Sequence, residues 1–223
     1  MKDVSVLLAD DHSVMRESFR ALLELKPGFL PVGEARTGAE AVAQARKLQP
    51  DVVLMDVRMP EMDGIEATRQ ICDDPETSSV RVLILTTFDL DEYVYAALHA
   101  GASGFMVKDA DAADLLNGIR LVAAGDALLA PRITRRLIAT FASQHRPDFQ
   151  APAELAGVTN REREVLVLIA RGLSNLEISD HLVIGPGTVR THITRLLHKL
   201  KARDRAQLVI AAYETGLIAP RSS

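Results

Sequence analysis

Five residues of this chain are of types that could together move a phosphoryl group: Asp10, Asp11, Asp56, Thr86 and Lys108. Each lies at or just after the end of a short apolar run: VSVLLAD ends on Asp10, DVVLMD on Asp56 and GFMVK on Lys108, while Thr86 falls near the end of VLILTT. Carboxylates gathered at one place repel one another unless a hard cation neutralises them, and Mg²⁺ favours a few carboxylates completed by water or phosphate oxygens. One of the three aspartates could then attack a phosphoryl group, with Mg²⁺ and Lys108 balancing the charge on the transferring oxygens. Taken singly, an aspartate in such a position caps a turn. The set says more, because its members close four different runs.

The elements that must position these residues are legible as an alternation. Strand-like runs at 4–10, 30–35, 51–56, 82–87 and 104–108 alternate with amphipathic stretches at 14–25, 38–48, 64–72, 90–100 and 111–124. The central runs are apolar throughout, as strands buried on both faces require. Five strands, each followed by a helix, predict an α/β doubly wound five-stranded parallel sheet, whose ligand site lies beyond the carboxyl ends of its strands. Residues 1–126 form this first domain. Residues 127–157 read as a linker: a helix over PRITRRLIATFAS, then a polar stretch containing Pro147 and Pro152. Residues 158–218 read as a small all-α domain with helices near 160–171, 175–182, 187–201 and 205–215. Two starts are marked by capping boxes, Thr159 with Glu162 and Ser174 with Glu177.

Charge divides the chain at the same place. Residues 1–126 carry 12 Lys/Arg against 22 Asp/Glu, a net −10, while residues 127–223 carry 14 against 8, a net +6. An acidic half suits a cation, and a basic half suits a polyanion. No apolar run approaches the roughly 20 residues needed to span a bilayer, and the first residues turn acidic before an apolar targeting segment is complete, so a cytoplasmic location away from membranes is expected. Cys72 is the single cysteine, which excludes an internal disulfide. No glycine-rich nucleotide loop follows a strand, which argues against ATP or NAD.

Within the basic half, 186–205 holds six Lys/Arg against Asp204 alone. As a helix it gathers Val189, Ile193, Leu196, Leu197 and Leu200 on one face, leaving Arg190, Thr191, Thr194 and Arg195 to point elsewhere. Short polar and Arg side chains near a helix start suit the DNA major groove, where Arg pairs with guanine and Thr touches a thymine methyl.

Two resemblances sharpen these readings. The acidic set, with MPEMDG after Asp56 and AGASGFMVK around Lys108, resembles the response-regulator receiver family over residues 1–125. The stretch TNREREVLVLIARGLSNLEISDHLVIGPGTVRTHITRLLHKLKARDR resembles the LuxR-type helix-turn-helix, so the whole chain looks like a NarL/FixJ-type response regulator of two-component systems. The first resemblance implies that Asp56 accepts phosphate from a sensor histidine kinase, that Asp10, Asp11, Asp56 and the Arg58 backbone carbonyl hold Mg²⁺, and that Lys108 bonds the phosphoryl oxygens. It further implies that Thr86 and Phe105 form the switch. The second implies that 187–201 is the recognition helix, with Arg190, Thr191 and Thr194 on bases and Arg195, Lys199 and Lys201 on phosphates of double-stranded DNA. It also implies a homodimer when phosphorylated or DNA-bound, with the last helix, near 205–215, at the contact between copies. The apolar Ala206, Leu208, Val209 and Ala212 on that helix do not by themselves separate such a seam from the chain's own core, and the resemblance favours the seam. Gly185 departs from the serine common before this helix. The expected protein is a transcription regulator and not an enzyme. The alternatives are a phosphorylation-independent DNA binder whose receiver serves dimerisation, and an aspartyl-nucleophile phosphohydrolase. Arg58 argues against the latter, which would need an acid two residues after its nucleophile.

Overall fold

The computed structural model describes residues 3–86, 91–125, 128–129, 155 and 157–218. It divides into two compact units, 1–128 and 129–223.

The first unit is a parallel sheet with helices on both faces. Its strands are β1 (Val4–Ala9), β2 (Phe29–Ala35), β3 (Val52–Asp56), β4 (Arg81–Thr86) and β5 (Gly104–Val107), and its helices are α1 (Ser13–Glu24), α2 (Gly38–Leu48), α3 (Gly64–Asp73), α4 (Asp91–His99) and α5 (Ala112–Ala123). Strand order is β2-β1-β3-β4-β5, and all four pairings among these strands are parallel. The chain reverses its winding between β1 and β3, the place where such sheets open a crevice. Alternate strand residues serve the two faces. Val6, Leu8, Val52, Leu54, Leu83 and Leu85 pack with Leu23 of α1 and with Leu115, Leu116, Ile119 and Val122 of α5. Leu7, Val53, Met55 and Ile84, equally buried, belong to the opposite face, where α2, α3 and α4 pack.

Two features depart from the expected elements. A 3-10 turn, Pro75–Thr77, precedes β4, with Asp74 as its cap accepting from the Glu76 N–H. A sixth, two-residue strand, Leu128–Leu129 (β6), extends the sheet next to β5 inside the segment expected to be linker. The helix expected over PRITRRLIATFAS lies outside the described residues.

The second unit contains α6 (Asn160–Ala170), α7 (Asn175–Leu182), α8 (Pro186–Lys199) and α9 (Arg205–Glu214). Both expected capping boxes are formed, by Thr159 with Glu162 and by Ser174 with Glu177. Asp204 caps α9 as well, accepting from the Ala206 and Gln207 N–H groups. Val165, Leu166 and Ile169 of α6, Ile178 of α7, Val189 and Leu196 of α8, and Leu208 and Val209 of α9 are all buried. Burial decides between the seam, which the resemblance favours, and the chain's own core for Ala206, Leu208, Val209 and Ala212. All four are at most 2% exposed within the single chain, so they belong to its own core. Among the described residues no helix is long and apolar enough to cross a membrane.

Candidate functional site

Register brings the five phosphoryl-transfer candidates to one edge. Ala9 pairs with Met55, which sets Asp10 level with Asp56. Asp56 pairs with Leu85, and Thr86 with Val107, one residue before Lys108. The Lys108 N–H donates to the Thr86 carbonyl at 2.8 Å and carries the ladder past the end of β5. Asp10, Asp56 and Thr86 are buried, at 3%, 6% and 3% exposure, while Asp11 is exposed.

The Lys108 ammonium bridges the two buried carboxylates, 2.7 Å from Asp10 Oδ2 and 3.0 Å from Asp56 Oδ2. The other Asp56 oxygen accepts from the Val57 N–H at 2.8 Å. Burial nevertheless raises the Asp56 pKa above its ordinary value; Lys108 pulls it down without cancelling the effect, and the nearby Asp10 charge adds to the rise. Burial alone would lower the Lys108 pKa, but its hydrogen bonds to Asp10 and Asp56 win and raise it. One ammonium between two carboxylates leaves net negative charge in a buried place. That is the electrostatic setting in which a cation binds.

Ligand atoms of Asp10, Asp11, His12 and Asp56 lie within 4.8 Å of one another. His12 was not among the sequence candidates. Its Nδ1 lies 2.7 Å from Asp11 Oδ1, and its backbone N–H donates to Asp10 Oδ1 at 2.9 Å. A histidine following two aspartates is visible in the sequence, but its bond to Asp11 depends on how the chain turns into α1. Behind the pair, the buried Arg16 guanidinium donates to the Asp10 carbonyl at 2.7 Å and to Glu34 Oε2 at 3.0 Å, fixing the turn that carries both acids. The segment after Asp56 is held just as closely. The Gly64 N–H donates to the Val57 carbonyl at 2.9 Å, and a Cβ on Gly64 would overlap the Asp56 carbonyl oxygen. The glycine of MPEMDG is therefore required by close backbone approach.

Arg58 lays its guanidinium over the Tyr93 ring of α4 at 5.7 Å from the centroid, with Nη2 3.4 Å from the Tyr93 hydroxyl. Both line an open groove of about 380 Å³ that also includes Asp11, Met59 and Asp63. Phe105 is 1% exposed, packed in the interior of β5.

In the second unit, Arg190, Thr191, Thr194 and Arg195 are exposed on α8, while Val189, Ile193 and Leu196 are buried. The two threonine hydroxyls donate to carbonyls one turn back, Thr191 to Gly187 at 3.0 Å and Thr194 to Arg190 at 3.1 Å, which ties down their rotamers. Lys201 is exposed just beyond α8, in the left-handed conformation at φ 52°. Lys199 differs from the rest: its ammonium lies 2.7 Å from Oε2 of Glu162, a carboxylate 2% exposed. No local pattern announces this partner, 37 residues away.

The receiver model, "Response regulator receiver domain", matches residues 6–120, and the model "Bacterial regulatory proteins, luxR family" matches residues 156–212. The transcriptional regulatory protein LiaR of Bacillus subtilis is 40% identical over 215 residues, 96% of this chain and 99% of its own. The response regulator protein VraR of Staphylococcus aureus is 38% identical over 216 residues, again covering 96% and 99%. Among solved structures, the response regulator ChrA of a heme-sensing two-component system shares 32% identity with a TM-score of 0.53, covering 98% of this chain and all of its own.

Proposed function

Because the chain belongs to the two-component response regulators that join a receiver to a LuxR-type DNA-binding domain, we propose that Asp56 accepts a phosphoryl group from a sensor histidine kinase and that this controls binding to specific DNA sites. The observation that carries the reading is the Lys108 ammonium spanning the buried Asp10 and Asp56 carboxylates at the carboxyl edge of the sheet.

The donor set fits Mg²⁺: hard carboxylate oxygens from Asp10, Asp11 and Asp56, with the Arg58 backbone carbonyl as a further ligand and charge left over after Lys108. Once bound, the ion supplies neutralisation of charge on the transferring phosphoryl oxygens. The chain's own groups do the remainder. An Asp56 carboxylate oxygen attacks phosphorus, the bond from phosphorus to the kinase's histidine nitrogen breaks, and the electron pair leaves with that nitrogen. Lys108 moves from the Asp56 oxygen to the new phosphoryl oxygens, a charge-assisted bond of the same kind. Thr86, buried beside them at the end of β4, supplies the hydroxyl that follows the phosphoryl group, and Phe105 is the aromatic that moves with it. A phosphoryl group adds about −1.5 to −2 charge and three acceptor oxygens, so contacts available in only one arrangement shift the population toward it.

In the second unit, Arg190, Thr191 and Thr194 read base edges, and Arg195 and Lys201 meet phosphates. The active species is a homodimer. Its seam uses surface other than the buried apolar residues of α9.

Intact-mass measurement after incubation with acetyl phosphate and Mg²⁺ tests the first step, with gel-shift titration of the same samples testing the second. One phosphoryl group per chain, absent in Asp56→Asn, together with tighter DNA binding is the expected result. Normal labelling of Asp56→Asn would overturn the acceptor assignment, and equal DNA affinity with and without phosphate would favour the phosphorylation-independent reading.

A further inference from the structure

The last residue of α8 makes a contact that DNA binding does not require and that the basic character of the segment conceals. Lys199 Nζ lies 2.7 Å from Glu162 Oε2. The same oxygen accepts from the Thr159 N–H at 2.8 Å and from the Thr159 hydroxyl at 2.9 Å. Glu162 stands in the first turn of α6, and its side chain is 2% exposed against 32% for that of Lys199. The carboxylate is therefore buried, shares one oxygen among three donors, and has Lys199 as its cation in this cluster.

From this geometry we infer that Lys199 is a positioning residue: it pins the end of the recognition helix to the start of α6 and so fixes the angle at which Arg190, Thr191 and Thr194 enter the major groove, instead of neutralising a DNA phosphate. The inference rests on the reading of α8 as the base-reading helix.

Three features support it. First, α8 packs against α6, and the residues it buries, Val189, Ile193 and Leu196, are apolar, so their burial carries no directional bond to fix the helix's angle. A charged hydrogen bond at one end supplies the missing direction. Second, the partner is already fixed. The capping box orients Glu162 through both the Thr159 N–H and the Glu162 N–H, so the tie transmits the position of α6 and not that of a loose side chain. Third, transferring Lys199 to a phosphate would strand the buried Glu162 carboxylate without its cation, at a cost greater than an exposed phosphate contact returns. A phosphate-binding lysine has no such cost.

The two roles differ in what they predict for full-length protein binding a duplex selected by the wild type from random sequence, compared with an unrelated duplex of equal length. A positioning role predicts that Lys199→Met lowers the ratio of selected to unrelated affinity by about fivefold or more, the lower bound for losing one well-placed base contact. It also predicts an unchanged salt slope. Lys199→Arg, which can still reach the carboxylate, restores the ratio. Glu162→Gln produces the same loss as Lys199→Met, and the double variant is no worse than either single variant because the two act through one contact. Circular dichroism confirms that each variant remains folded at the temperature of the assay. A phosphate contact instead lowers affinity for both duplexes alike, reduces the salt slope by about one, and leaves Glu162→Gln like the wild type; that pattern overturns the inference. Arg190→Ala is the control for the underlying reading. If it loses discrimination while the Lys199 variants keep it, the positioning role alone fails. If Arg190→Ala keeps discrimination as well, the reading of α8 fails with it.

Discussion

Both domains set a lysine ammonium 2.7 Å from a buried carboxylate, and the two pairs behave in opposite ways. In the receiver, Lys108 is divided between Asp10 and Asp56, and burial keeps the Asp56 pKa above its ordinary value in spite of the lysine. In the helical domain, Glu162 has Lys199 to itself within its cluster and gains two further donors from Thr159. Burial pushes its pKa up, but those partners bring it down to about 2. The first arrangement is short of positive charge and the second is satisfied. A buried ion pair by itself therefore says little about role; the balance of charges around it says more. Where the balance is left open, the carboxylates still lack positive charge, which is what the proposed phosphoryl-transfer role would use. Where it is closed, the pair joins the end of α8 to the start of α6.

The largest effect should come from attacking the framework that imposes the imbalance. Asp56 is held in place partly because the backbone at Gly64 approaches its carbonyl more closely than any residue with a Cβ could. Gly64→Ala should destabilise the receiver by about 3 kcal/mol, the upper end of the ordinary range for overpacking, and depress labelling by acetyl phosphate. Calorimetry and intact mass measure the two effects. A variant with wild-type stability and labelling would show that the β3–α3 connection does not set the position of Asp56.

The second test reads the opposite signs directly. Glu162→Gln removes a satisfied charge and should cost roughly 1 to 3 kcal/mol, as a buried hydrogen-bonded charge does. Asp56→Asn removes an unfavourable one and should leave the receiver as stable as before, or more so. Acid titration separates them further. The folded-state pKa of Glu162 lies below its ordinary 4.5, so the stability it contributes is complete above 4.5 and is lost as pH falls toward about 2. The folded-state pKa of Asp56 is raised, so its charge weakens the fold, and acidification through that raised value relieves the strain. Hydrogen exchange resolved by peptide can follow α6 and β3 in one sample. Parallel loss of protection in both regions over the same pH interval, abolished in neither variant, would break the comparison.

Much of this was readable from sequence, and the division follows the range of the interactions. The ends of β1, β3 and β5 were marked by Asp10, Asp56 and Lys108 because apolar runs buried on both faces stop abruptly at polar residues. The capping boxes at Thr159 and Ser174 were visible because their partners lie three residues on. What escaped depends on distance or on degenerate pattern. Lys199 sits in a basic run and looks solvated; its partner is 37 residues earlier. His12 touches Asp11 only because of the path into α1. In α9 the apolar residues lie nearly all round the helix, so periodicity could not separate a seam between copies from the interior of one. Backbone strain was also hidden. Val183, a β-branched residue between α7 and α8, adopts φ 53° while 90% exposed, and no spacing rule announces that.

The smallest effect concerns the one helix start among the described residues of the second domain whose N-cap residue offers no side-chain acceptor. Thr159, Ser174 and Asp204 each cap with an oxygen, whereas Gly185 leaves the start of α8 with no side-chain bond. Its backbone, at φ −67° and ψ 148°, is extended and open to any residue, and a Cβ there would meet nothing nearer than Thr188 Oγ1 at 3.9 Å. Gly185→Ser should therefore place a hydroxyl where it can accept from the Thr188 N–H, at present bonded at 2.9 Å to the Gly185 carbonyl. The gain should be a few tenths of a kcal/mol, equivalent to about 1 to 3 °C in the melting of a domain this small. Labelling at Asp56 should not change, since the substitution touches only the helical domain. A lower melting temperature would mean that the glycine serves the close approach of something else at the start of α8. The cap would then resemble Lys108 more than Lys199, a local interaction left incomplete for a partner still to come.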